Sequence, residues 1–225
     1  MTAPTDLLIF DCDGVLVDSE PISIAVLCEV IADAGRQDDE ETAYRLFLGR
    51  SMTTIRETLA EEFALSFTVE HLEKIRRQLF ERFRSELRPI SGIREALAAL
   101  PHRRCVASSS RPERIRLSLG IAGLLELLEP NIYSTTMVTR GKPAPDLFLH
   151  AANEMAAEPE ACVVVEDSPA GIEAAKAAGM RVFAFAGGSH ARAGGLHAAF
   201  RALEPDLVFD DMRLLPSLLA GAVAR

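Results

Sequence analysis

The sequence predicts an α/β protein, a parallel sheet flanked by helices and interrupted once by an all-helical segment. Three observations predict it. Short strand-like runs at Leu7–Phe10, Arg104–Ser108 and Ala161–Val165 have the length and apolar character of strands buried on both faces. Helical patterns separate successive runs after residue 89, the rhythm of crossover-connected parallel strands. Between 19 and 88 no strand pattern occurs.

The elements follow in order. Leu7-Leu8-Ile9-Phe10 is a strand that runs into Asp11 and Asp13, with Gly14 free to turn sharply behind them. Ser19-Glu20-Pro21 reads as a helix start and Gly35 as its stop. Ala43–Leu48 is a short helix ending at Gly49. Ser51 caps a helix to about Phe63, and Thr68 caps another whose Leu72, Ile75, Leu79 and Phe83 share one face. Pro89-Ile90-Ser91-Gly92 marks a connection, and Ser91 is expected to cap a helix through Leu100. A strand at 104–108 precedes a helix from Arg111 to Leu119, expected to stop at Gly120. A short strand at 131–134, a helix at 146–155, a strand at 161–167, a helix at 169–178 stopped by Gly179, and strands at 181–185 and 207–209 complete the pattern. The reading is a core of residues 1–17 and 89–225 with a helical domain of residues 18–88 inserted. The alternative is one domain with a helical bulge.

Composition narrows the function. The 225 residues are 48% hydrophobic and 25% charged, as expected of a folded globular chain, with a net charge of −9. That charge argues against nucleic acid or an anionic membrane as partner, since both require a basic face. No basic-then-apolar leader occurs, and no apolar run reaches the ~18 residues of a membrane span. Cys12, Cys28, Cys105 and Cys162 are scattered without a Cys-x-x-Cys pair, so a reduced, cytoplasmic protein is expected, as a monomer or weak homo-oligomer. Only Lys74, Lys142 and Lys176 are lysines among 24 basic residues. A lysine in an arginine-biased chain hints that a compact ammonium is required at that place.

Four places set polar groups at strand ends or in the loops after them: Asp11 with Asp13, Ser108 with Ser109, Lys142, and Glu166 with Asp167. In open α/β sheets ligands bind beyond the carboxyl ends of the strands. Taken singly each has an ordinary reading, as a turn, a helix cap or a loop. Their order and placement together resemble the four motifs of the haloacid dehalogenase superfamily, carried here by Ile9-Phe10-Asp11-Cys12-Asp13-Gly14, Val106-Ala107-Ser108-Ser109, Gly141-Lys142-Pro143-Ala144-Pro145-Asp146 and Val164-Val165-Glu166-Asp167-Ser168-Pro169-Ala170-Gly171. The branch most similar contains β-phosphoglucomutase-like proteins and many sugar-phosphate phosphatases.

The resemblance implies a Rossmann-like core with an inserted all-helical cap domain, and a phosphatase of small phosphorylated metabolites that uses Mg2+. It makes Asp11 the nucleophile. Asp13 becomes the acid that protonates the leaving alcohol and then deprotonates water, a role that asks for a pKa above the ~3.9 of free aspartate. It makes Asp11, the Asp13 carbonyl and Asp167 the metal ligands, with Glu166 on a metal-bound water, and Ser108, Ser109 and Lys142 the phosphate-binding groups. Gly49-Arg50-Ser51-Met52 resembles the cap's specificity loop. Arg50 either grips a distal anion of the substrate or is a solvated helix-end residue. The group's phosphomutases carry a histidine near where Ser23 stands, which favours phosphatase over mutase. Asp13 argues against a dehalogenase, and Lys74 is misplaced for a phosphonate hydrolase. A catalytically silent phosphosugar-binding regulator is the alternative from another class. Cys12 is expected to be a packed filler, and the five histidines match no motif and are expected mostly at the surface.

Overall fold

In a computed structural model, which describes residues 4–37, 39–48 and 52–222, six parallel strands form one sheet in the order β3-β2-β1-β4-β5-β6. These are β1 (Leu7–Phe10), β2 (Arg103–Ser108), β3 (Ile132–Ser134), β4 (Cys162–Glu166), β5 (Arg181–Phe185) and β6 (Leu207–Phe209). The central pairings set Leu7 beside Arg103 on one edge and beside Cys162 on the other. Side chains alternate between the two faces, as strand geometry requires. Leu8, Phe10, Val106, Val163 and Val165 enter one buried cluster, and Leu7, Ile9, Cys105, Ala107 and Val164 enter the other.

Helices α1 (Glu20–Asp33), α2 (Glu40–Phe47), α3 (Met52–Phe63) and α4 (Val69–Glu86) lie between β1 and α5 (Ile93–Ala99), with no strand among their described residues. The chain leaves the core and returns along a shared neck. Asp18 N–H donates to the Arg88 carbonyl and Ile90 N–H to the Leu16 carbonyl, both at 3.0 Å. The buried residues of α1–α4 join the cluster on the Phe10 face of the sheet without a break. The remaining helices are α6 (Pro112–Ala122), α7 (Leu125–Leu128), α8 (Asp146–Glu154), α9 (Pro169–Ala177), α10 (Leu196–Leu203) and α11 (Leu215–Ala222). Among the described residues no helix is long and apolar enough to cross a membrane.

Three local expectations change. Helix α6 runs through Gly120 and ends at Gly123, whose φ of +63° suits a glycine. Leu119, Ala122 and Leu124 are buried there, and that burial outweighs the ~1 kcal/mol cost of an interior glycine. Helix α5 starts from Gly92 at φ +80° with no side-chain cap, so Ser91 does not cap it. Helices α7, α10 and α11 lack a readable pattern. In α10 only Leu196 and Phe200 are buried anchors, among alanine, histidine and arginine. The expected cap at Ser51 lies outside the described residues.

Candidate active site

The parallel sheet brings the ends of β1 and β4 side by side, and the chain then turns at each. Asp11 follows β1 directly, its N–H donating to the Val165 carbonyl at 3.0 Å. Glu166 ends β4 and Asp167 follows it. A carboxylate oxygen from each of Asp11, Glu166 and Asp167 lies within 4.8 Å of the others, and all three residues are buried. Burial, with the Glu166 charge next, pushes Asp11 and Asp167 well above the usual aspartate range.

One cation is set among these acids. Lys142, in the loop before α8, donates to Asp11 Oδ1 and Glu166 Oε2, each at 2.9 Å, with its side chain only 4% exposed. The Phe148 ring stands 4.8 Å from its ammonium. Burial opposes its charge, but Asp11 and Glu166 outweigh that and hold the lysine protonated. Glu166 also accepts from Ser168 N–H at 3.1 Å and Ser168 Oγ at 2.5 Å, and this hydroxyl caps α9 in turn. Both oxygens of Glu166 are thus committed within the protein, whereas neither Lys142 nor Ser168 donates to Asp167.

These residues fit a small divalent cation. Three hard oxygen donors converge, as Mg2+ requires, and one lysine offsets only part of their charge. The backbone makes room for the group: a Cβ on Gly14, at φ +75°, would stand 1.8 Å from Asp167 Oδ2. Only glycine allows the β1 loop to pass so close to this carboxylate.

The Asp13 carboxylate is held by a different set of partners. Its Oδ1 accepts from Ser19 Oγ at 2.6 Å and Arg114 Nη2 at 3.0 Å, and its Oδ2 accepts from Ser110 Oγ at 2.7 Å. Burial pushes its pKa up, but Arg114 and the two hydroxyls outweigh burial and hold it below the usual value. The raised pKa expected of a general acid is therefore not met in this arrangement. Arg114, on α6, also reaches Ser23 Oγ on α1 at 3.2 Å and lies over the Phe83 ring of α4. It ties the core to the helical segment directly behind Asp13.

Ser108 is buried at the end of β2, where its Oγ accepts from Ser110 N–H at 3.1 Å. Ser109 is exposed beside it. Arg50 lies outside the described residues. Cys12 is buried, and burial pushes its thiol well up, as expected of an inert filler.

Sequence reasoning missed four groups around the site: Ser110, Arg114, Glu20 and His190. Glu20, in the first turn of α1, is pushed up to about 7 by burial and by Asp13 and Asp167. His190, expected at the surface, is 1% exposed, with Nε2 2.9 Å from Asp167 Oδ2. Burial pushes the imidazole down, towards its neutral form. Two adjacent glycines and a histidine just beyond the end of a buried strand were the available signal.

A family model described as haloacid dehalogenase-like hydrolase matches residues 5–179. The 6-phosphogluconate phosphatase of Escherichia coli K12 is 31% identical over 82% of this chain and 84% of its own length. Hexitol phosphatase A of the same organism is 33% identical over 78% and 81%. Among solved structures, a haloacid dehalogenase family hydrolase from Deinococcus radiodurans R1, with bound phosphate and sodium, is 34% identical with a TM-score of 0.79. The alignment covers 98% of this chain and 97% of that one.

Proposed function

We propose that this chain, which belongs to the haloacid dehalogenase-like hydrolases, is a Mg2+-dependent phosphatase of small phosphorylated metabolites, sugar phosphates foremost. It is a phosphoric monoester hydrolase. The observation that carries the fuller reading is the Lys142 bridge between Asp11 and Glu166 inside a buried acidic pocket. An ammonium held between a nucleophile's oxygen and a second carboxylate is placed to attract a phosphoryl oxygen once substrate arrives.

In this reading Asp11 attacks phosphorus and the bond to the alcohol oxygen breaks, leaving an aspartyl phosphate. Asp13 gives its proton to the departing oxygen. It then takes one from the water that attacks the aspartyl phosphate, which releases inorganic phosphate and restores Asp11. Lys142 and the Ser108 hydroxyl hold phosphoryl oxygens, with the Ser109 N–H assisting. Asp11, the Asp13 carbonyl and Asp167 would hold the cation, and Glu166 would hold a water on it. When bound, Mg2+ cancels the repulsion between a carboxylate and a phosphate dianion. Asp13 must turn from Ser19, Ser110 and Arg114 to serve as acid. A movement of α1 and α4, which touch Arg114 through Ser23 and Phe83, would supply that turn.

The neck at Asp18 and Arg88 supports dividing the chain into a core and an inserted cap of residues 18–88, and the cap loop with Arg50 would choose the substrate. The names of the phosphatase relatives support a sugar-phosphate class. The scattered cysteines, with no Cys-x-x-Cys pair, support a reducing, cytoplasmic setting. A screen of phosphorylated metabolites for phosphate release tests the proposal. Release should require Mg2+, stop with EDTA and vanish in a folded Asp11→Asn variant. Release by that variant at the wild-type rate would remove Asp11 from the chemistry. Efficient isomerisation of a hexose 1-phosphate with little free phosphate would make the protein a mutase instead.

A further inference from the structure

We infer that His190 is a positioning residue of the cation site, holding the Asp167 carboxylate in its ligating orientation; this rests on the metal site proposed above. The imidazole is 1% exposed and stands with Nε2 2.9 Å from Asp167 Oδ2. Neither ring nitrogen has a hydrogen-bond partner, the approach to Asp167 being out of line for one. A buried imidazole with two orphaned nitrogens incurs a desolvation cost that a structural filler would not need.

The surroundings are shaped to admit the ring. A Cβ on Gly188 would lie 2.4 Å from His190 Cε1, and one on Gly14 would lie 3.0 Å from the same atom and 1.8 Å from Asp167 Oδ2. Two glycines from different loops thus clear the space in which ring and carboxylate meet. Ser189, the residue before, fastens the loop by donating from Oγ to Asp18 Oδ1 at 2.8 Å. Asp167 needs such a partner. Lys142 and Ser168 hold both oxygens of Glu166, and Lys142 holds Asp11, but neither reaches Asp167. A ring N–H turned onto Oδ2 leaves Oδ1 free for the cation and narrows the rotation of the carboxylate. Groups in this outer position commonly govern metal affinity as strongly as some ligands do.

Calorimetric titration of the metal-free protein with Mg2+ alone tests the inference. His190→Met should weaken Mg2+ binding by roughly 10–100-fold, the usual effect of removing an outer partner of a ligand. His190→Gln should restore affinity to within a few-fold of wild type, because its amide N–H reaches the place of Nε2. His190→Asn, whose amide reaches only the place of Nδ1, should resemble the methionine variant. If His190→Met does not fold, the contrast between glutamine and asparagine decides. Unchanged Mg2+ affinity in His190→Met, or equal affinity in the glutamine and asparagine variants, overturns the inference. Asp167→Ala serves as the reference. If it too binds Mg2+ normally, the metal site itself is misplaced, and that outcome is distinct from loss in Asp167→Ala with none in His190→Met.

Discussion

Replacing Lys142 by methionine removes the only cation that touches Asp11 and Glu166 among the described residues, and leaves both carboxylates buried. Each contact is 2.9 Å, so each carries about 6 kcal/mol of Coulomb energy at an effective dielectric of ~20. Desolvation of the buried ammonium offsets much of this, and the net loss has an upper limit. The variant can escape by binding a proton on one carboxylate. At pH 7.5, protonating a group with an unfolded pKa of ~3.9 costs about 5 kcal/mol at 1.36 kcal/mol per pH unit. A destabilisation of about 3–5 kcal/mol follows, in line with other broken buried pairs. For a domain of this size that is a fall in Tm of roughly 6–20 °C. The sign of the pH dependence is fixed by the same proton. To the extent that the folded variant holds one more proton than the folded wild type, the penalty shrinks as pH falls, by at most about 2.7 kcal/mol between pH 7.5 and 5.5. Urea unfolding followed by circular dichroism in EDTA at both pH values measures it. A loss below about 1 kcal/mol at pH 7.5, or one that does not change with pH, would refute this account of Lys142.

Three further outcomes are expected. Asp11 and Asp167 have folded pKa values raised above the usual 3.8, by burial first and by the Glu166 charge next. The stability of the metal-free protein should therefore fall as pH rises from about 4 through those values, and Mg2+ should reverse the fall. A metal-free Tm that does not fall between pH 5 and 8 contradicts the raised values. Gly14→Ala should weaken Mg2+ binding at least ~10-fold in calorimetry and cost roughly 1–3 kcal/mol in stability from its positive φ alone. Wild-type values in both measurements would mean the β1 loop shifts freely. Arg114→Met should raise the Asp13 pKa, since an adjacent opposite charge lowers a carboxyl by ~1–3 units. The alkaline limb of the kcat/KM pH profile, set by loss of the Asp13 proton, should then move up by about a unit, and an unmoved limb would separate Arg114 from Asp13.

The strands that carry the site were readable because each is a short apolar run on which burial at both faces leaves no ambiguity. The polar groups just past their ends were readable because a parallel sheet delivers them to one edge. Asp11, Glu166 and Asp167 are brought together in this way, and the loop before α8 carries Lys142 to them. The remaining groups depend on contacts that local pattern does not encode. Arg114 looks like any arginine one turn into a helix until Asp13, Ser23 and Phe83 are seen around it. His190 lies in a loop that periodicity says nothing about. Helix α10 is not legible because two anchors are too few to make a period, and in α6 Gly120 signals a stop that burial of the next turn overrides.

The strand order has a consequence for how the chain is made. Leu7 is paired with Arg103 and with Cys162, so β1, the strand that carries Asp11, emerges from the ribosome long before either neighbour exists. Its four apolar residues must stay uncovered while the helical segment is synthesised, and loop closure over that distance is slow. Nascent chains that stall before residue 103 should therefore be retained by chaperones, and those that stall after 166 should be released.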